Sequence, residues 1–423
     1  MPTEVREAGT GAQVVPGADG AGVPASGSVR RSDIADIRRR VASGLAGPWR
    51  VVPILIALAA IWAFFTVQSP IFLSSQNLTN LTNQISVSTF VALGLVFLLL
   101  VRQIDLSLAG VAAVAGGIAG VLSTSTHWNP VAAVVVALAF GAGAGIIQGS
   151  VVTVLGTSAF IVTLGGMFIL EAVLFWELPV TQVVPLANTP LQAIAFSYVP
   201  AWVSYVVGVA AVGAFAALRW GDHRSRCRHG IRSSLVATTV VPSLALAVLV
   251  FGVLIFVFNA YRGVPAPAVV LIGCCAILAY VQKRTPLGKH IYAIGGNPEA
   301  ARRAGVHVKT VTVFTFALGG FMAAAGGIVQ ASQLLGVSQQ SEDLTLLLGA
   351  LAAVVVGGVS LAGGRGNVWA AVIGGILIGS IQNGLDLINS SSAVQWFVEG
   401  MILIVAVIID ALISRSSINV GGT

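Results

Sequence analysis

Charged residues are scarce in this sequence of 423 residues: Asp, Glu, Lys and Arg together make up 9% of it. A soluble domain carries about 25% charged residues, so the composition excludes an ordinary soluble protein. Hydrophobic residues make up 56% of the chain, and the mean hydropathy is +0.94. A single apolar segment cannot produce such an average. Most of the chain is therefore predicted to lie in lipid or against other lipid-embedded helices.

The sequence also lacks the signatures of catalysis and of metal binding. It has three cysteines, and none of them has metal-ligand spacing to a histidine or suggests a disulfide framework. It has no GxxxxGK[ST] phosphate-binding loop and no HExxH or GxSxG motif. We therefore expect this chain to bind no cofactor or metal, to hydrolyse no ATP and not to be an enzyme.

Long apolar runs are what the sequence does contain, and a membrane span needs roughly 20 such residues. Candidate spans lie at 51–68, 85–101, 106–123, 130–150, 157–177, 202–218, 235–257, 266–282, 310–331, 345–361, 367–387 and 394–413. The alternating pattern of an outer-membrane barrel is absent. The runs predict an all-α polytopic membrane protein with about 10–12 transmembrane helices.

Two of these runs are interrupted, at 102–105 and at 362–366. The neighbouring sequences DLSLAG (105–110) and VSLAGG (359–364) are similar to each other. Paired interruptions in the two halves of a chain often mark a transport pathway. We expect broken or re-entrant segments at these two places and a weak internal repeat.

The basic residues indicate the orientation. The formal net charge is +7, and every Lys and Arg except Arg262 falls in the N-terminal tail or in connections that the span order assigns to one side. Positive charge is retained on the cytoplasmic side, so both termini are expected to be cytoplasmic. For the same reason the charge does not indicate nucleic-acid binding. The predicted domains are a disordered basic tail at 1–50, a permease domain at 51–413 and a cytoplasmic tail at 414–423.

The connection 283–309 contains NPEAARRAG, which predicts a short helix. Asn297 is suited to cap it, Pro298 to occupy its first position and Gly305 to end it. Glu299 favours the positive end of the helix dipole, and Arg302 the negative end. Such a helix could dock into a groove on a partner, or it could anchor the connection at the lipid headgroups.

Polar residues near the interrupted spans are the candidates for a translocation pathway, because an ionisable residue at membrane depth is costly and usually functional. Asp105 could instead pair locally with Arg102, and Asn83 and Gln84 could lie in an outer loop. Asp410, at the end of the last span, is expected to be solvated. The pathway candidates are Asp105 and Ser107, followed by Asn83, Gln84, Gln330, Gln382, Asn383 and Asp386.

Four segments resemble the permeases of sugar ABC importers of the ribose, xylose and galactose type. They are IDLSLAG (104–110), TSAFIVTLGGM (157–167), YAIGGNPEAARRAG (292–305) and VVVGGVSLAGGRGNVWAAVIGGILIGSIQNGL (354–385). The likeness covers residues from about 75 to 413 in the family's order. The extra span pair at 202–257 is similar to that of the xylose-type permeases. Departures such as Ala109, Val359 and Ser158 leave the substrate open.

The resemblance implies a permease subunit that moves a monosaccharide, with a pentose such as xylose first, across the bacterial cytoplasmic membrane. It implies a homodimer, an ATP-binding-cassette ATPase with two nucleotide sites that holds ATP and Mg²⁺, and an extracytoplasmic sugar-binding protein. It also implies that the connection 283–309 couples the chain to that ATPase, through Asn297, Pro298, Glu299, Ala300, Ala301, Arg302 and Gly305.

Two alternatives stay open. The same kind of permease could carry ribose, galactose or a nucleoside. A secondary transporter driven by an ion gradient would need facing carboxylates within the membrane, for which Asp105, Glu171 and Asp386 are the candidates.

Overall fold

The computed structural model describes residues 52–126, 128–178, 183–229, 234–339 and 344–418. All of the described residues belong to one compact unit of the chain. The predicted tail at 1–50 lies outside the described residues, as do residues 419–423 of the predicted C-terminal tail.

The described residues are mainly helical. The helices are α1 (Val52–Gln68), α2 (Ser75–Leu100), α3 (Leu108–Thr124), α4 (Pro130–Leu155), α5 (Ala159–Glu177), α6 (Gln192–Phe196), α7 (Ala201–Arg228), α8 (Val236–Phe258), α9 (Ala266–Arg284), α10 (Pro286–Gly296), α11 (Pro298–Arg303), α12 (Val308–Gln333), α13 (Leu344–Val356), α14 (Trp369–Leu387) and α15 (Ser392–Ile418). The first and last turns of α8 are π-helical.

Four two-residue strands connect the helices at one end of the bundle. Strand β1 (Val184–Pro185) pairs antiparallel with β4 (Gly336–Val337). Strand β2 (Tyr198–Val199) pairs antiparallel with β3 (Val264–Pro265). The opposite end of the bundle carries the connection 283–309 and is called the basic end below.

The helices agree with the predicted polytopic membrane fold. Within the described residues, α2, α4, α5, α7, α8, α9, α12 and α14 are long and apolar enough to cross a membrane. The remaining predicted spans correspond to the shorter apolar helices α1, α3 and α13 and to the apolar stretch Ser392–Ile408 of α15. Many large apolar side chains point outward, such as Val67 and Trp176, each 85% exposed. These surfaces suit contact with lipid tails.

Several boundaries differ from the prediction. Helix α2 begins at Ser75, ten residues before the predicted span, because Ser74 caps its first turn and Asn77 is buried. Asn83 and Gln84 therefore lie within a helix and not in an outer loop. Helix α7 continues past the predicted end of its span, residue 218, to Arg228. Helix α15 continues past the predicted end of the last span, residue 413, to Ile418.

Helix α12 is the centre of the packing and contacts α2, α3 and α4. Glycines allow this approach: a methyl group at Gly145 of α4 would collide with the backbone of Phe316 in α12. Small residues commonly bring membrane helices this close. Helices α13 and α14 pack on α2 on another side, and α15 packs on α13. The bundle therefore surrounds α2 and α12 with neighbours.

Helices α7 and α8, the predicted extra pair, pack mainly on each other. The described burial within α7 is confined to Ser204 and Gly208. The last turn of α8 contacts α2. The pair is thus peripheral to the bundle, and most of its apolar surface is exposed.

Candidate functional site

The predicted short helix in the connection 283–309 is confirmed as α11, and its caps are local. The Asn297 side chain accepts hydrogen bonds from the backbone N–H groups of Glu299 and Ala300, each at 3.0 Å. Pro298 occupies the first helical position. At the other end Gly305 has a φ of 85°, and Val306 N–H donates to the Ala301 carbonyl at 3.0 Å. This is the glycine-ended helix stop that the sequence predicted.

One face of α11 is exposed and charged, and the other packs on the protein. Arg302 donates to Glu299 Oε1 at 2.9 Å, and Arg303 Nε lies 3.5 Å from the same oxygen. The Arg302 and Glu299 side chains are 70% and 51% exposed, whereas Ala301 is 5% exposed. The helix therefore presents a rigid, charged surface at the basic end of the bundle. Its predicted role in coupling stays a prediction.

Sequence reasoning placed one helix in this connection, and the structure has two. Helix α10 runs directly into α11, with Asn297 ending the first and capping the second. Tyr292 of α10 donates a hydrogen bond from its hydroxyl to the Gly366 carbonyl at 2.5 Å. This hydrogen bond attaches α10 to the connection between α13 and α14.

The two interrupted stretches of the sequence meet at this end. Gly364 N–H donates to the Leu100 carbonyl at 3.0 Å, so the connection 357–368 touches the end of α2. Arg102 Nε donates to the Gly295 carbonyl at 2.7 Å, and Arg102 Nη2 donates to the Gly296 carbonyl at 2.7 Å. Arg102 therefore binds the end of α10, and the alternative of a local pair with Asp105 is not formed.

The connection 357–368 has further partners that sequence reasoning missed. Asp410 Oδ2 accepts hydrogen bonds from Ser360 Oγ and Leu361 N–H, each at 3.1 Å. Asp410 was expected to be solvated, but it anchors this connection to α15. Gln282 Oε1 accepts from Val368 N–H at 3.0 Å. No local signal in the sequence indicates these pairs, because the partners lie 49 or more residues apart.

Asp105 is fully buried in a polar cluster at the connection between α2 and α3. Its Oδ1 accepts from Ser107 N–H at 2.8 Å and from Ser107 Oγ at 2.6 Å. Ser107 Oγ lies 2.9 Å from Gln148 Oε1 of α4, and Leu106 N–H donates to Thr163 Oγ1 of α5 at 3.1 Å. Burial raises the pKa of the Asp105 carboxyl to about 6, while the hydrogen bonds from Ser107 lower it.

A second polar group lies in the half of the bundle away from the basic end. Asn77 and Asn383 exchange hydrogen bonds between their amides at 2.8 and 3.2 Å. Asn383 also donates to Gln84 Oε1 at 3.2 Å. Asn83 donates to the Ala195 carbonyl at 2.9 Å and accepts from Gln333 Nε2. The structure thus joins Gln84 with Asn383 but directs Asn83 to α6 and α12.

The other pathway candidates have separate surroundings. Gln330 lines a cleft between α3 and α12, together with Ala113, Gly116 and Val337. Gln382 donates to Glu399 Oε1 of α15 at 2.7 Å, and the exposed Asp386 accepts from Gln395 at 2.7 Å. Among the described residues, the hydrogen bonds of Asp105 and Ser107 do not reach the other six candidates. The pathway assignment stays a prediction for all eight.

Six of the eight pathway candidates are amides or hydroxyls. Amide and hydroxyl groups both donate and accept, as the hydroxyls of a sugar do. In the part of the chain that the structure describes, no group of three His, Cys, Asp or Glu side chains could hold a metal ion. Asp105 and Asp386 each bond to neutral partners, and their hydrogen bonds do not link them to each other.

A family model described as "Branched-chain amino acid transport system / permease component" matches residues 77–407. The xylose transport system permease protein XylH of Escherichia coli (strain K12) is 34% identical over 370 residues, which are 87% of this chain and 93% of XylH. XylH of Haemophilus influenzae is 33% identical over 85% of this chain and 96% of its own length. The ribose import permease protein RbsC of E. coli (strain K12) is 30% identical over 84% of this chain and 92% of RbsC. No solved structure matches this chain.

Proposed function

The chain belongs to the family of branched-chain amino acid transport system permease components, and we propose that it is the permease subunit of a sugar importer driven by a separate ATPase. It is a multi-pass membrane protein of the cytoplasmic membrane and not an enzyme. The family alone does not identify the substrate. Its description names branched-chain amino acids, whereas the relatives XylH and RbsC are named for xylose and ribose.

The observation that carries the proposal is the similarity to XylH, which extends over 87% of this chain and 93% of that permease. We therefore propose a monosaccharide as the substrate class and xylose as the first candidate. Ribose is the second candidate, because the similarity to RbsC covers nearly the same length at 30% identity.

The proposed mechanism uses the two ends of the bundle. The exposed charged face of α11 would dock into a cleft of an ATP-binding-cassette ATPase, and closure of that ATPase would move α11 as a rigid body. The polar groups around Asn383 and Asp105 would line successive parts of the sugar's path. A binding protein outside the membrane would deliver the sugar, so the permease needs only weak sites of its own.

An ion-coupled transporter is supported less well. It would need carboxylates that share an ion or a proton within the membrane. Asp105 bonds to Ser107, and Asp386 bonds to Gln395. These pairs offer no shared acidic site.

The test is uptake by liposomes that contain this chain with its ATPase and binding protein. We expect xylose uptake that requires ATP inside, with ribose and galactose as the competing sugars. ATP-dependent uptake of ribose but not of xylose would keep the importer and change its substrate. Uptake that follows an imposed proton or sodium gradient without ATP would contradict the proposal.

A further inference from the structure

Arg102 connects two distant parts of the chain at the basic end. Its guanidinium donates through Nε to the Gly295 carbonyl and through Nη2 to the Gly296 carbonyl, each at 2.7 Å. These are the last two residues of α10, and carbonyls in the last turn of a helix lack partners within the helix. Arg102 therefore caps α10 from a position almost 200 residues earlier in the chain.

The backbone at Arg102 has a conformation in which glycine would be expected rather than arginine. Its φ is 62°, in the left-handed region, which is unfavourable for an L-residue. Neither the position's geometry nor its exposure requires arginine, since glycine adopts this φ without cost. The guanidinium and its two charge-assisted hydrogen bonds are what the arginine adds.

The contact of Arg102 with Gly295 and Gly296 is called the joint below. The connection between α13 and α14 also takes part in this joint. Gly364 N–H donates to the Leu100 carbonyl at 3.0 Å, and a methyl group at Gly295 would collide with both Leu100 and Gly364. The three backbones are therefore in direct contact, with no side chain between them. Tyr292 adds the 2.5 Å hydrogen bond to Gly366.

We propose that Arg102 is a positioning residue that fastens the segment α10–α11 to the end of α2 and to the connection 357–368. The proposal rests on the coupling function proposed above for α11. Because Asn297 both ends α10 and caps α11, a displacement of α11 moves the carbonyls that Arg102 holds. Arg102 passes that displacement to α2 and, through Gly364, to the connection between α13 and α14.

The fork of the guanidinium explains why arginine suits this joint. Two parallel donors on one planar group fix both the distance and the angle of α10. A lysine ammonium can reach one carbonyl but does not fix the angle. Arg102→Lys is therefore expected to retain part of the effect that Arg102→Gly loses.

The first experiment measures hydrogen–deuterium exchange of the chain alone in lipid nanodiscs. Arg102→Gly removes the guanidinium and at the same time relieves the left-handed backbone. Amides at 293–305 are expected to exchange on the order of tenfold faster in this variant, as loss of a charge-assisted hydrogen bond predicts. The amides of α4 and α12 are expected to keep their wild-type rates.

The matched control is Asn389→Gly. Asn389 also has a positive φ, 51°, but it lies in the connection between α14 and α15, far from the joint. This control should leave exchange at 293–305 unchanged. Wild-type rates at 293–305 in Arg102→Gly would overturn the proposal, and so would faster exchange throughout the bundle.

The second experiment measures ATP hydrolysis by the ATPase that co-purifies with each variant, with xylose-loaded binding protein as the stimulus. We expect Arg102→Gly to retain the ATPase but to lose most of the stimulation, with Arg102→Lys intermediate and Asn389→Gly like the wild type. Full stimulation of Arg102→Gly would overturn the coupling role. If no ATPase associates with the wild type, the proposed function fails, while the exchange experiment still tests the joint.

Discussion

At the scale of single residues, several polar side chains of this protein bond to partners that lie far away in the chain. Arg102 and Asp105 lie three residues apart, yet Arg102 caps α10 and Asp105 bonds to Ser107. Asp410 holds the connection 357–368 through Ser360 and Leu361. A buried polar group without a partner is costly, so each of these contacts restricts how its element can move.

Asp105→Asn should reveal the cost of burying this carboxyl. Asn can still accept the Ser107 hydrogen bonds, but it stays neutral. The Asp105 pKa is raised from 3.8 to about 6, so the folded wild type holds a proton that the unfolded chain releases between these values. The free energy of unfolding of the wild type therefore falls as pH rises through this window. The melting temperature of the variant minus that of the wild type should therefore be larger at about pH 7.5 than at about pH 4.5.

The measurement is thermal unfolding of both proteins in the same detergent at the two pH values. A difference in melting temperature that stays constant, or one that shrinks as pH rises, would contradict the burial argument for Asp105.

At the scale of elements, α11 combines a buried residue with an exposed charged face. Its caps make it rigid despite its length of six residues, and α10 fixes where it begins. A short capped helix can transmit a displacement better than a loop, because its backbone hydrogen bonds keep its shape. The element is therefore suited to contact a moving partner.

Glu299→Arg should separate coupling from stability. Glu299 forms exposed ion pairs with Arg302 and Arg303, and exposed pairs contribute only about 0.2–1 kcal/mol. The melting temperature should therefore change little, whereas stimulation of the ATPase should fall to near the basal level. The measurements are thermal unfolding and ATP hydrolysis in the reconstituted complex.

Asp222→Arg is the matched control for that change. Asp222 is an exposed carboxylate near the end of α7, also at the basic end but outside α10 and α11. Its charge reversal should leave stimulation intact. Equal loss of stimulation in both variants would indicate a general charge effect and contradict a specific role for α11.

The contact between α4 and α12 gives a second prediction for elements. Gly145→Ala should lower stability by a few kcal/mol, because the new methyl group meets the Phe316 backbone, which cannot move aside locally. Gly143→Ala on the same helix has open space within 4 Å. It should be neutral or slightly stabilising, because alanine favours a helix more than glycine does.

Thermal unfolding of both variants in detergent tests this pair. Equal stability of the two variants would mean that α4 and α12 do not pack as closely as the structure has them.

At the scale of the whole molecule, the bundle leaves large apolar surfaces uncovered. Helices α7 and α8 are exposed along most of their length, and α4 and α5 expose residues such as Ile147, Ile161 and Phe168. Lipid covers such surfaces in a membrane, and a second copy of the chain could cover one of them.

The proposed function does predict a dimer. An ATPase with two nucleotide sites offers two equivalent clefts, and each chain carries one α11. The purified permease should therefore have twice the chain mass of 43.2 kDa. Light scattering in detergent, with the micelle subtracted, measures this mass. A single chain bound to a stimulated ATPase would contradict the prediction.

Features that depend on nearby residues could be predicted from the sequence. Asn297, Pro298 and Gly305 determine the ends of α11 within nine residues, because caps and stops act through neighbouring backbone groups. The membrane class follows from long apolar runs, since lipid admits few charged or unpaired polar groups. The approximate positions of the spans followed for the same reason.

Features that depend on distant partners were decided only by the tertiary structure. The start of α2 was placed too late because its first turns are rich in Ser, Asn and Thr, which hydropathy assigns to a loop. In the folded chain Asn77 is paired with Asn383, 306 residues away, so these polar turns can be buried. Arg102 likewise could bond to Asp105 or to another segment, and only the packing of α10 against α2 selects the carbonyls of Gly295 and Gly296.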